Sequence, residues 1–172
     1  MPTAVQRHAR KTRGFEARVA HATALLREAA EDHAGRIVQA TSLGVEGMVL
    51  TDLIARHGLA IEVATLDTGK LHRETLALIP RIRQRYGLPV AVFHPRPDAV
   101  VQFVGRHGQD AMFRSLELRK GCCAMRKIEP MQRLLLGLLA EATPAVKDFL
   151  APGENASGPT FRLREGLFIA RK

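Results

Sequence analysis

Short β-branched runs alternate with helical patterns along the first part of the chain, and this limits the fold more than any other feature. Residues 36–41 read R-I-V-Q-A-T, residues 61–66 read I-E-V-A-T-L and residues 89–94 read P-V-A-V-F-H. Between the first two runs lie S-L-G-V-E-G and M-V-L-T-D-L-I-A-R-H, a helical pattern that Gly58 is placed to end. Between the second and third, a helix is expected from about 73 to 86, kinked by Pro80 and stopped by Gly87. After the third run, Asp98 is expected to cap a helix carrying Val100, Val101 and Val104. Ahead of the first, Phe15, Val19, Ala22, Leu26 and Ala29 form one apolar helical stripe. Connections of this length are crossovers between parallel strands rather than hairpins. The expected fold is α/β, an open parallel sheet with helices on both faces and right-handed crossovers.

Open sheets of this kind bind ligands beyond the carboxyl ends of their strands. Two loops of small residues fall at that edge, residues 42–47 and 67–69. The first leads into a helix, so its backbone N–H groups and the helix N-terminus can receive an anion such as phosphate. Ser42 adds a hydroxyl there, and Gly44 and Gly47 permit a close backbone approach. The loop is neither G-x-x-x-x-G-K-[ST] nor G-x-G-x-x-G. His72, His94 and His107 show no metal-ligand spacing to the cysteines and read as ordinary surface or turn residues.

Both cysteines of the chain are adjacent, in R-K-G-C-C-A-M-R-K-I-E-P over residues 119–130. Arg119 and Lys120 flank Cys122 and Cys123 on one side, Arg126 and Lys127 on the other. Nearby cations favour thiolate over thiol, which suits an iron–sulfur cluster, a zinc ion or redox chemistry. The alternative is a pair of small buried hydrophobes. Pro130 suits the first turn of a helix whose apolar face holds Met131, Leu134, Leu135, Leu138 and Leu139, which puts the cysteines at its entrance.

A net charge of +9 calls for an anionic partner. Nucleic acid is disfavoured, because Trp is lacking, aromatics are 5% and the basic residues are spread along the chain. A small phosphorylated ligand meets the charge equally well. Two neighbouring cysteines make no disulfide framework, no apolar core follows the basic first residues, and no stretch approaches a membrane span. The expected location is the cytoplasm, with no membrane partner.

Three blocks, S-L-G-V-E-G-M-V-L-T-D-L-I, T-L-D-T-G-K-L-H-R-E-T-L and R-K-G-C-C-A-M-R-K-I-E-P-M-Q-R-L-L, together resemble the sulfonucleotide reductases. The adjacent cysteines are similar to those of the assimilatory adenylyl-sulfate (APS) reductases, close relatives of the phosphoadenylyl-sulfate (PAPS) reductases. The resemblance implies an adenine nucleotide alpha hydrolase-like fold and reduction of APS to sulfite and AMP. It implies thioredoxin as electron donor and a [4Fe-4S] cluster. By the same resemblance, Ser42 and Gly44 help receive the nucleotide. Leu66 offers its backbone to the adenine above the turn formed by Asp67, Thr68 and Gly69. Cys122 and Cys123 match the first two cluster ligands, and Lys127 stands between cluster and substrate sulfate.

The chain also departs from the family. Gly47 replaces a usual acidic residue, and an arginine pair, a C-x-x-C and a late nucleophilic cysteine have no counterpart in these 172 residues. No catalytic residue is therefore assigned, and only two of the four cluster ligands are present. Residues 1–141 read as the nucleotide-binding domain and 142–172 as a divergent, partly disordered tail. Within that tail, residues 151–159 resemble a linker and a hairpin is expected around Glu165 and Gly166. A frameshift, a truncated copy or a fragment would each produce this pattern. The expectation is a chain impaired in turnover. The alternatives are a non-catalytic adenine-nucleotide-binding remnant or a PP-loop relative that uses ATP. A homo-oligomer stays open.

Overall fold

The computed structural model describes residues 9–140. The expectations for residues 142–172 lie outside them. In chain order the elements are α1 (Phe15–Asp32), β1 (Val38–Thr41), α2 (Val45–Arg56), β2 (Glu62–Leu66) and α3 (Arg73–Leu76). There follow α4 (Leu78–Tyr86), β3 (Val90–Phe93), α5 (Pro97–His107) and a 3-10 turn (Ala111–Phe113). Last come α6 (Leu116–Cys123), a π turn (Ala124–Ile128) and α7 (Glu129–Ala140).

The strands form one parallel sheet in the order β1-β2-β3, with Val38 opposite Glu62 and Val63 opposite Val90. Val63, Ala64 and Thr65 of the central strand are all buried. Successive strand residues point to opposite faces, so both faces of β2 are covered. This is the expected α/β architecture. The core lies where α1 and α2 meet the loop ahead of β2. Ala30, Ile54 and Ile61 are its buried centre, with Leu26, Ile37, Leu59 and Leu88 packed around them.

Turn chemistry explains where the helices stop. At the end of α2, Gly58 N–H donates to Ala55 O and Leu59 N–H to Ile54 O, and Gly58 takes φ +57°. That reciprocal pair is the Schellman arrangement, which needs a left-handed residue and so favours glycine. Gly87 closes α4 at φ +69°, as expected. The Pro80 kink falls earlier than the proline itself, at Ala77 between α3 and α4. A proline ring crowds the carbonyl four residues back and donates no bond to it, and four residues back is Leu76.

Three expectations need correction. Asp98 does not cap α5: Arg96 is the N-cap and Pro97 opens the helix, with no side-chain cap bond. Proline at the first position has its φ already set for a helix, so the start moves upstream and Asp98 sits in the first turn, where the dipole favours it. The α1 stripe does not pack at its start: Phe15 remains 40% exposed, while Val19, Ala22 and Leu26 are half-buried and Ala29 is buried. The cysteines do not sit at a helix entrance but are the last two residues of α6. Pro130 lacks the N–H that would bond Arg126 O, and the π turn immediately before α7 absorbs that interruption.

Candidate active site

The β1–α2 loop is held by threonine hydroxyls. Thr41 accepts from Leu43 N–H at 3.0 Å, and Thr65 donates to Thr41 O at 2.8 Å. Fully buried Thr51 donates within reach of Gly47 O (2.9 Å) and Gln39 Oε1 (3.0 Å), and Gln39 Nε2 donates to Gly47 O at 2.7 Å. Together these bonds draw the first turn of α2 against the end of β1. A Cβ at Gly47 would overlap the Thr41 hydroxyl. The small residue at 47 and the threonine at 41 are thus one packing decision, and an acidic side chain at 47 would have to displace Thr41. A Cβ at Gly44 would meet only ordinary contacts. Buried Leu43 carries the only positive φ of a non-glycine among the described residues, +61°. That conformation is costly for a branched side chain and marks the loop as held by its surroundings.

No side chain caps the N-terminus of α2, where Gly44 is extended. The first N–H groups of this helix are therefore free to meet an anion. Beside it the second loop turns through Asp67, Thr68 and Gly69. Gly69 N–H donates to Asp67 Oδ1 at 2.9 Å, and Asp67 N–H donates to Phe93 O at 2.9 Å, which fastens the turn to β3.

A cleft of about 370 Å³ opens at this edge. Its floor is the ends of β1 and β2, including Ala40, Thr41, Ala64 and Thr65. Ser42, Leu66 and Thr68 form one rim, and Lys127, Met131 and Leu134 face them from the π turn and α7. The volume lies in the range of small-molecule sites. A mostly apolar lining with several hydroxyls and one cation suits a flat ring carrying an anionic tail.

Of the expected site residues, the structure thus brings Ser42, Leu66, Thr68 and Lys127 into one cleft. Gly44, Asp67 and Gly69 build the two loops that frame it. Cys122 and Cys123 lie outside the lining, Cys122 buried and Cys123 half-buried. Cys122 Sγ lies 3.9 Å from Met112 Sδ. Among the described residues no third His, Cys, Asp or Glu joins the pair as a metal-binding group. A four-iron cluster takes four thiolates. The pair by itself supplies half of such a set and does not fit the group.

Three contributors escaped the sequence reading. Met131 and Leu134 read in the sequence as part of an ordinary apolar face, yet both line the cleft. The third is Arg126, whose Nη1 donates to Thr68 O at 2.6 Å across the cleft wall. His94 is an exposed residue of the strand-end turn, as expected, with its Nδ1 3.7 Å from Asp67 Oδ2. Adjacency of the β2 and β3 ends was the available signal for that contact.

On the β3 side Glu129 binds Arg133 (2.7 Å) and Arg96 (3.1 Å), and Arg133 also donates to His94 O. This ties α7 to the end of β3. The Arg133 hydrogen bond, opposed by burial and aided by Arg96, holds the Glu129 carboxyl below its ordinary value of 4.5. A carboxylate depressed in the folded state stabilises fully above its unfolded pKa and loses that contribution as pH falls through the folded one. Thermal melts of Glu129→Gln should therefore show a shallower acid loss below about pH 4.5 than the native chain. Identical acid limbs would mean that the triad contributes nothing.

Residues 36–145 match the profile of the phosphoadenosine phosphosulfate reductase domain. The chain belongs to that family. The adenosine 5'-phosphosulfate reductase of Burkholderia cepacia is 44% identical over 127 residues, which is 74% of this chain and 50% of that protein. The protein of the same name from Allochromatium vinosum is 47% identical over 107 residues, 62% of this chain and 42% of that one. The chain thus spans about half the length, or less, of these curated relatives. The fold is shared with a crystal structure of phosphoadenylyl-sulfate reductase from Candida auris in a phosphate complex. That match has a TM-score of 0.51 at 20% identity, covering 76% of this chain and 65% of the other. The matched region holds both cleft loops and the cysteine segment. Among the described residues no helix is long and apolar enough to cross a membrane.

Proposed function

We propose that the cleft of this sulfonucleotide reductase-family chain binds APS, or its 3'-phosphorylated form PAPS. The reaction it serves is reduction of the sulfonucleotide to sulfite and AMP in sulfate assimilation, with thioredoxin supplying two electrons. The observation that carries this reading is the meeting of Ser42, Leu66, Thr68 and Lys127 around one cleft at the carboxyl edge of the sheet. In it, the Leu66 backbone receives the adenine and the turn Asp67, Thr68, Gly69 supports it. Ser42, Gly44 and the uncapped start of α2 receive the phosphate, through donors already oriented toward an anion. Lys127 holds the sulfonate by charge from the opposite rim.

Cys122 and Cys123 correspond to the first two of the family's four [4Fe-4S] ligands, and as a pair they supply only half of that set. The attacking thiol of the family reaction has no match among these 172 residues. Residues 1–141 act as the nucleotide-binding domain of a cytoplasmic protein. A second reading, a nucleotide-binding module without turnover, is favoured by the two-cysteine count alone.

Calorimetry with AMP and APS tests the cleft. Both should bind, APS more tightly, and Lys127→Ala should remove most of the APS advantage while leaving AMP little changed. A charge-assisted contact of this kind supports a loss of about tenfold in APS affinity. No heat from either nucleotide at millimolar concentration would sink the assignment of this edge.

A further inference from the structure

Arg126 is buried, with 7% of its surface exposed, in the π turn next to the cleft residue Lys127. Its Nη1 donates to Thr68 O at 2.6 Å, but its Nε is buried without a partner. No ion pair among the described residues includes it. A buried cation with only a neutral acceptor is costly, and an apolar side chain of similar length is often as stable or more so. The guanidinium is therefore poorly explained as a stabiliser of the fold.

Its position supplies another explanation. Thr68 lies on the cleft rim, and Lys70 N–H lies 3.3 Å from Thr68 Oγ1. A Cβ on Gly69 would stand 3.1 Å from the guanidinium, and Gly69 itself holds φ +68°. Arg126 thus fills the space under the turn and fixes its carbonyl from the far wall, fifty-eight residues away in sequence. We infer that Arg126 is a positioning residue: it holds the turn 67–69 in the geometry that receives the nucleotide, without touching the ligand. This rests on the nucleotide-binding reading above.

Two variants test it, Arg126→Met and Arg126→Lys, each followed by melting temperature, AMP affinity and amide exchange at Gly69 and Lys70. For Arg126→Met the expected result is an unchanged or higher melting temperature, with AMP affinity down about tenfold and faster exchange at both amides. Arg126→Lys keeps one charged donor for Thr68 O and should fall between native and Met in affinity. The split between stability and affinity is what a merely structural arginine would not produce. Unchanged affinity and exchange in Arg126→Met would overturn the inference. So would an affinity loss that follows a drop in melting temperature while the two amides keep native exchange. If the native chain bound no AMP, the nucleotide reading would fail by itself. Exchange at Gly69 and Lys70 in Arg126→Met would then still decide whether the guanidinium holds the turn.

Discussion

A polypeptide of these 172 residues should release no sulfite from APS when supplied with reduced thioredoxin. Reduction needs a thiolate of the chain that attacks the sulfur and expels AMP. A thioredoxin thiol then displaces sulfite and leaves a disulfide. The chain's only thiols are Cys122 and Cys123. Neither lines the cleft. Cys122 is buried against Met112, and both cysteines are fixed at the end of α6 by a helical path that continues through the π turn into α7. A nucleophile must reach its target within about 3 to 3.5 Å in line with the breaking bond. A side chain locked in such a segment does not travel to a substrate in the adjoining cleft. Sulfite formation is read directly against a blank lacking protein. Release above that blank, abolished by Cys122→Ser, would show that the pair is itself the nucleophile.

Ile54→Ala should produce the largest loss of stability of any single truncation in the core. Ile54 is completely buried at the centre of the cluster with Ala30 and Ile61. Leu26, Ile37, Leu59 and Leu88 pack against that cluster from four different stretches of chain, so the site cannot collapse by moving one of them. Truncations of this type cost about 2 to 5 kcal/mol, through lost transfer energy and the cavity left behind. Denaturant unfolding should show a lower midpoint with an unchanged slope, the signature of altered stability alone. A change within about 0.5 kcal/mol, as for an ordinary surface substitution, would mean that this cluster is not the centre of the core.

Ile54 also shows how far local pattern reaches. Its place on the inner face of α2 follows from helical spacing, and the end of that helix follows from Gly58. What Ile54 meets does not follow, because its neighbours come from α1, two loops and the segment before β3. The same division runs through the site. The loops of Ser42 and Thr68 could be placed at the carboxyl edge because parallel crossovers bring successive strand ends together. The residues that close the cleft from the other side, Met131 and Leu134, carry only the periodicity of any amphipathic helix.

The strand–helix alternation, the glycine stops at Gly58 and Gly87, and the two loops at one sheet edge are legible in the residues alone. Each depends on backbone preferences and spacing within a few residues, which are written locally. Tertiary packing requires that Gly47 be small, because Thr41 stands against it, and brings His94 to Asp67. It also decides that the cysteines end α6 and that Arg126 reaches Thr68. These depend on how helices and strands distant in sequence come to lie against one another. Spacing does not encode that, because it is settled by the summed volumes and hydrogen bonds of the whole packed core.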